Sequence, residues 1–188
     1  MIQVMDSYSR AYPEFSLCGL NCGLCVRYHT AGPSRCPGCG GNRFSELHPS
    51  CPIITCSKKH EHIEYCHECA SYPCDRYRDE AEYDSFITYA SRLADQTKAK
   101  SFGIEAYQHI LNQKIELLRH LIEHYDDGRH KGFCCLAVNL FELPVLQQIV
   151  EKMKTVELAS VKERAAYMAE LMNKEAENHH LLLRLRRK

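Results

Sequence analysis

Ten of the twelve cysteines lie in one segment of the chain, and their spacing is typical of metal ligands. In chain order they are Cys18, Cys22, Cys25, Cys36, Cys39, Cys51, Cys56, Cys66, Cys69 and Cys74. They include three pairs with C-x-x-C spacing, and Cys51 and Cys56 form a further pair with the longer C-x4-C spacing. Such short loops bring two thiolates to a single ion. The sequence therefore predicts that these ten residues supply the ligands of metal sites.

Two tetrahedral ions need fewer thiols than this segment offers, so the spacing leaves the pairing open. In a sequential arrangement, one ion is held by Cys22, Cys25, Cys36 and Cys39 and the other by Cys51, Cys56, Cys66 and Cys69. An interleaved arrangement, in which the first pair joins the third and the second joins the fourth, fits equally well. The spacing also does not decide between Cys18 and Cys22, or between Cys69 and Cys74.

Zinc is the metal that the pattern favours, at about two ions per chain. Residues 36–41 read C-P-G-C-G-G, and the final glycines allow a close backbone approach, as in a zinc knuckle. An iron–sulfur cluster is the alternative, because four thiolates hold such a cluster equally well. Cys18, Cys22 and Cys25 have the C-x3-C-x2-C spacing of radical enzymes that use S-adenosylmethionine. The parallel β/α barrel of those enzymes, however, is not predicted here.

The charge balance and the lack of long apolar runs limit the setting. The chain has 24 basic residues (lysine and arginine) and 24 acidic ones (aspartate and glutamate), so the formal net charge is zero. Eight zinc-bound thiolates would make the loaded protein negative by about four charges, which argues against nucleic-acid binding. No run approaches the roughly 20 apolar residues of a membrane span, and residues 1–16 show no signal peptide. We therefore expect a cytoplasmic protein with reduced thiols and no membrane contact.

Basic residues also lie among the cysteines, and we expect them to offset the charge of the thiolates. They are Arg27, Arg35, Arg43, Lys58 and Lys59. A second basic group occupies residues 184–188, and we expect it to be solvated.

The expected fold is mostly α, with an irregular metal-stapled lobe packed on a small helical bundle. Residues 14–78 form the cysteine-rich metal-binding module, where glycine and proline leave room for at most short β-hairpins. Residues 79–188 form the helical domain, and we identify no internal repeat. The predicted helices cover residues 75 to about 99 and residues 104–125, a third has Pro144 in its first turn, and a fourth starts with a capping box at Ser160 and Glu163. Residues 133–141 are apolar without a clear period and form a buried helical turn or a short strand.

A basic loop in the helical half is a second candidate for ligand binding. Its cations could hold an anion or lower the pKa of a nearby thiol, so we expect a cofactor or ligand to contact Arg129, Lys131 and Cys135. His130 could act as the base of a Cys–His nucleophile, but no third residue that would orient it is recognisable. In the alternative, Cys134 and Cys135 are small apolar residues of the core. The sequence identifies no catalytic residue.

Two segments resemble a known family. The first contains C-G-L-N-C-G-L-C, C-P-G-C, C-P-I-I-T-C and E-Y-C-H-E-C-A-S-Y-P-C, and over about residues 17–78 it resembles the DUF3795 family of small cysteine-rich microbial proteins. The second, D-D-G-R-H-K-G-F-C-C-L-A-V-N-L, resembles a block of longer members, in which Cys135 matches the family cysteine and Cys134 replaces a tyrosine. The resemblance implies metal binding, taken to be zinc, and supplies neither reaction nor substrate.

These features favour a cytoplasmic zinc-binding protein with a structural cysteine module. We expect its helical half to carry an interaction or regulatory surface for a protein or small-molecule partner that the sequence does not identify. The alternative is an iron–sulfur redox carrier, or a metal-dependent enzyme with its site near residues 129–131. Whether the protein is an enzyme stays open.

Overall fold

The computed structural model describes residues 8–48, 50–78 and 83–187, and within them the chain is helical or irregular with no β-strand. The helices in this part of the chain are α1 Phe44–Leu47, α2 Pro52–Lys58, α3 Asp75–Arg78, α4 Arg92–Phe102, α5 Ile104–Tyr125, α6 Lys131–Leu140, α7 Leu143–Lys154 and α8 Val161–Asn178. The 3₁₀ turns Cys22–Leu24 and Cys66–Glu68 lie in the cysteine-rich module. The mostly α fold class is thus confirmed. None of the described helices is long and apolar enough to cross a membrane.

Helix α5 is the centre of the helical half, and it has the bounds that the sequence predicts. Its apolar residues recur every three or four positions and are buried, as in a helix that faces neighbours along one side. The buried ones are Tyr107, Leu111, Ile115, Leu118, Leu121 and Tyr125. Helices α4, α6, α7 and α8 all pack against α5.

The local signals for α7 and α8 are also confirmed. Pro144 lies in the first turn of α7. Ser160 and Glu163 form a capping box at the start of α8, with Glu163 N donating to Ser160 Oγ at 3.2 Å and Ser160 N donating to Glu163 Oε2 at 2.9 Å. The apolar stretch at residues 133–141 is mostly helical and belongs to α6, in which Ala137 and Val138 are fully buried.

One predicted helix is wrong. The sequence predicts a continuous helix over residues 75 to about 99, but α3 ends at Arg78 and α4 starts only at Arg92. Residues 83–91 between them form bends and turns. The part of the prediction that covers residues 79–82 lies outside the described residues.

Asp84 explains why this segment is not helical. Its carboxylate accepts the backbone N–H groups of Tyr89 at 2.9 Å and Arg186 at 2.8 Å, and it pairs with the Arg186 guanidinium at 2.8 Å. Side-chain acceptors that bind backbone donors in this way compete with helix formation. The expectation that the basic group at residues 184–188 is solvated is confirmed for its described arginines, because Arg184, Arg186 and Arg187 are all exposed. Arg186 also pairs with Asp84 of the loop.

The cysteine-rich module shares the main hydrophobic core with the helices. Phe15, Leu24 and Tyr65 of the module belong to the buried cluster that surrounds α5. The ring of Phe15 lies 4.6 Å from that of Tyr107, centroid to centroid. A second core within the module is much smaller and consists of the buried residues Leu17, Cys39, Phe44 and Ile54. Much of the module's apolar burial therefore depends on the helical half.

Asn21 is the polar centre of the contact between the module and the helices. Its side chain donates to Asp95 Oδ2 at 2.8 Å and Asn139 Oδ1 at 3.0 Å, and it accepts the Tyr107 hydroxyl at 2.9 Å. Lys114 Nζ donates to the Asn139 carbonyl at 3.1 Å. Burial lowers the pKa of Lys114 to about 8 and raises that of Asp95. Because the network is buried, its polar groups cannot bond to water in the folded protein. Each hydrogen bond of the network therefore matters more than it would on the surface.

Replacing Asn21 with alanine removes a partner from three buried polar groups. Each buried group left without its partner costs about 1–3 kcal/mol, although relaxation recovers part of the loss. We expect N21A to lower the free energy of unfolding by about 2–4 kcal/mol, measured by urea denaturation.

The matched control for this prediction is Asn178 at the end of α8, which is exposed and donates one hydrogen bond to Glu175 at 3.2 Å. N178A should change the free energy of unfolding by less than about 0.5 kcal/mol. Similar losses in the two variants would contradict the role assigned to Asn21.

Candidate metal centre

Two of the C-x-x-C segments fold into turns with the same backbone hydrogen bonds. The four bonds are Cys25 N to Cys22 O (3.0 Å), Tyr28 N to Cys25 O (3.0 Å), Cys69 N to Cys66 O (3.1 Å) and Tyr72 N to Cys69 O (3.0 Å). Both segments read C-x-x-C-x-x-Y, so the chain contains a short internal repeat that the sequence analysis missed. The shared geometry presents two thiols from each turn.

The first of these turns lies beside the knuckle segment. Cys36 N donates to the carbonyl of Arg27 at 3.0 Å, which joins the two segments. Burial raises the pKa of Cys22 well above its usual value, and the charges of neighbouring thiols raise it further. Cys22 and these neighbours make up the first thiol group, which comprises Cys18, Cys22, Cys25, Cys36 and Cys39.

Glycine is required where the knuckle turns. Gly38 has a φ of +84°, and a Cβ there would lie 2.4 Å from the carbonyl oxygen of Pro13. A Cβ on Gly41 would lie 2.2 Å from the carbonyl oxygen of Pro37. Both distances are well inside van der Waals contact, so only glycine lets the backbone pass this closely. The tight turn also positions Cys39, whose N–H donates to Pro13 O at 2.8 Å.

The second turn lies beside a cavity of about 30 Å³. The thiols that line this cavity make up the second thiol group, which comprises Cys56, Cys66, Cys69 and Cys74. Burial raises the pKa of Cys66 to about 12, and a hydrogen bond from Tyr77 partly offsets the effect. Cys18 also raises the pKa of Cys66, so it lies between the two thiol groups.

The thiols are grouped, but more loosely than a bound metal requires. Among residues 8–48, 50–78 and 83–187, no three cysteine sulfurs lie within 4.8 Å of one another. Four sulfurs at about 2.3 Å from one zinc ion are about 3.8 Å apart. Burial favours the neutral thiols, but a divalent cation would favour the charged thiolates. It would also draw the sulfurs together. Each group offers at least four thiols, a donor set that suits zinc or an iron–sulfur cluster.

Two buried arginines that the sequence analysis missed lie beside the thiols. The guanidinium carbon of Arg10 lies 4.5 Å from the centroid of the Tyr65 ring. That of Arg92 lies 4.3 Å from the centroid of the Tyr77 ring. Burial raises the pKa values of Cys39 and Cys18, and the charges of Arg10 and Arg92 respectively offset part of that rise. Both arginines lie outside the cysteine segment of the sequence, so its spacing gave no signal for them.

The basic residues that the sequence did single out have mixed roles. Burial raises the pKa of Cys25, and Arg27 offsets part of this, as expected of a cation near a thiol. Arg35 instead donates to the carbonyl of Tyr28 at 2.8 Å, and Arg43 pairs with the adjacent Glu46 at 2.8 Å on the surface. These two arginines support local structure.

The module also matches a protein family. A family model described as "Protein of unknown function (DUF3795)" covers residues 14–79. The resemblance of the first segment is thereby confirmed, whereas that of residues 126–140 lies beyond the match and stays a prediction. The DUF3795 match contains all ten clustered cysteines and Asn21, and the helices from α4 onward lie beyond it. The chain has no significant match among curated proteins and none among solved structures.

Beyond the DUF3795 match, the carboxylate of Asp126 organises the basic loop before α6. Asp126 Oδ1 accepts the N–H groups of His130 at 2.8 Å and Lys131 at 3.1 Å, and His130 Nδ1 lies 2.8 Å from Asp127 Oδ1. In the part of the chain that the structure describes, Asp126, Asp127 and His130 form the only group of three possible metal ligands within 4.8 Å. The hydrogen bonds within this turn account for their proximity, since Asp side chains commonly accept backbone N–H groups of the residues that follow them.

The residues predicted to bind a ligand outside the DUF3795 match have different surroundings. Arg129 is exposed, whereas Lys131 Nζ donates to the carbonyl of His29 in the module at 3.1 Å. Cys135 is 5% exposed and lies in the main core. Ligand binding by Arg129, Lys131 and Cys135 stays a prediction.

Cys134 has the surroundings of a core residue. It is fully buried, and its Sγ lies 3.5 Å from Met168 Sδ. Burial raises the pKa values of Cys134 and Cys135 to about 12, which disfavours the thiolate that a nucleophile needs. The imidazole of His130 is bonded to Asp127 instead. This arrangement favours the alternative in which both cysteines fill the core.

We therefore expect Cys134 and Cys135 to resist iodoacetamide in the native protein at pH 8, because both are buried and protonated. After denaturation both should react. Peptide mass spectrometry of samples alkylated before and after denaturation measures this, with the half-exposed Cys51 of chelator-treated protein as the reactive control. Fast native alkylation of Cys134 would instead support a nucleophilic role.

Proposed function

We propose that the chain is a zinc-binding protein whose cysteine module binds about two zinc ions as structural elements. The observation that carries the proposal is the arrangement of the clustered cysteines into two groups, each built on a C-x-x-C-x-x-Y turn with the same backbone hydrogen bonds. When bound, zinc supplies a fixed positive charge and tetrahedral links between segments that are distant in sequence.

A structural role is supported by the number of donors in each group. The first thiol group has five thiols and the second has four, so each can complete a tetrahedral shell without a water molecule or substrate. Closed shells of this kind are typical of structural zinc, whereas catalytic zinc keeps one position open. The buried Arg10 and Arg92 suit the same role, because they balance part of the charge that thiolates bring into the module.

The module's small core supports the same proposal. Four buried residues make up its second cluster, and much of its other apolar burial comes from contact with the helical half. A core of this size gives little stability of its own, and all twelve cysteines of the structure are free thiols, so no disulfide supplements it. Zinc would thus stabilise both the module and its contact with the helices.

In this proposal the helical half supports the cysteine module, which packs against it. Its predicted interaction or regulatory surface, its protein or small-molecule partner, and a cytoplasmic location remain part of the proposal. An enzymatic role has no residue assigned to it.

Metal analysis of protein purified without oxygen or added metal tests the proposal. We expect about two zinc ions per chain, no visible absorption band, and a lower melting temperature after treatment with a strong chelator. The melting temperature should return when zinc is restored, because zinc–thiolate bonds contribute to folding. Magnesium added in place of zinc is the control and should restore nothing, since it binds thiolates poorly.

Two results would overturn this function. Iron with acid-labile sulfide and visible absorption would make the protein an iron–sulfur carrier. An unchanged melting temperature after complete removal of zinc would show that the metal is not structural.

A further inference from the structure

Helix α2 separates the two cysteines of the C-x4-C segment. Cys51 is the N-cap residue of Pro52–Lys58, and Cys56 lies in its second turn. At 3.6 residues per turn, positions five apart differ in direction by about 140° around the helix axis. The sequence spacing suits a loop that brings both thiols to one ion, but the helix turns them to different sides.

The surroundings of the two thiols agree with this geometry. Cys51 packs against the small core of the module, as Ile53 and Cys66 also do, but it does not line the cavity of about 30 Å³. Cys56 lines that cavity, together with Ile53 and His60. Ile53 is three residues before Cys56, so the two share one side of α2, and His60 lies in the turn that follows the helix.

The other thiols of the second group reach the same cavity from two further elements. Cys66 and Cys69 come from the second C-x-x-C turn, and Cys74 lies directly before α3. The carbonyl of Cys74 accepts the N–H of Tyr77 at 2.8 Å, which fixes its position at the start of that helix. Four thiols from three elements therefore surround one small space.

We propose that the second zinc ion is bound by Cys56, Cys66, Cys69 and Cys74, and that Cys51 is not a ligand. This assignment rests on the proposed zinc-binding function. It replaces the sequential arrangement of the second site, in which Cys51 is a ligand and Cys74 is spare. His60 lines the same cavity, but four thiolates already complete a tetrahedral shell.

Native mass spectrometry of the full chain, refolded with zinc and desalted, tests the assignment with a matched pair of variants. Wild type and C51S should each retain two zinc ions per chain, whereas C74S should retain one. The charge-state distribution of the same spectra reports whether each variant is folded. Cobalt loading gives a second readout, because C74S should lose about half of the absorption of tetrahedral cobalt thiolate and C51S should lose none.

The possible outcomes separate this assignment from the function on which it rests. Absence of bound zinc in wild type would overturn the proposed function. Two zinc ions in wild type with one in C51S, or with two in C74S, would overturn the assignment alone.

The ligand assignment can still be tested if C74S does not fold. If C74S shows the broad, high charge states of an unfolded chain, C51S still decides whether Cys51 is a ligand. C74H then tests Cys74, because imidazole is also a zinc ligand and should restore the second ion, while serine should not.

Discussion

The side chain of Asn21 is the contact on which the rest of the structure depends. It comes directly before the first C-x-x-C turn and bonds to residues of α4, α5 and α6. Since these partners are buried, the module can only dock where all the bonds are made together. The hydrophobic contact of Phe15 with α5 fixes the same interface by apolar burial. The position of the first thiol group is therefore set by the helices as much as by the module's own turns.

Charge is the second constraint on the thiols. Burial raises the pKa values of Cys22, Cys39 and Cys66, so in the absence of a cation these residues are neutral at physiological pH. Neutral thiols do not repel one another strongly, so the clustered cysteines can lie close together without a large electrostatic cost. A bound divalent cation would favour the thiolate over the neutral thiol, because its direct bonds to sulfur offset the cost of burying a charge. The positive charges of Arg10 and Arg92 lower the cost of burying a thiolate at Cys39 and Cys18 further.

The sequence predicted the parts of the structure that local chemistry determines. The capping box at Ser160, the proline at the start of α7 and the periodic stripe of α5 act over a few residues, and all are found. The helix expected near Asp84 fails because its partner Arg186 lies 102 positions away in the chain. Spacing likewise could indicate that cysteines gather, but not that α2 would turn Cys51 away from Cys56.

The basic loop that suggested an anion site is connected to the first C-x-x-C turn by hydrogen bonds. Lys131 donates to the carbonyl of His29, whose Nε2 lies 2.8 Å from the carbonyl of Gly23 inside the turn Cys22–Leu24. Burial lowers the pKa of His29, so the ring is neutral at physiological pH and donates from Nε2 to Gly23.

Through this chain of bonds, the start of α6 holds the backbone between the thiols Cys22 and Cys25. Binding energies linked in this way are reciprocal. If zinc stabilises the docking of the module on the helices, the helices must raise the affinity of the first thiol group for zinc by the same factor. The isolated module should then bind its first ion more weakly than the full chain does, even though every cysteine ligand is present in both.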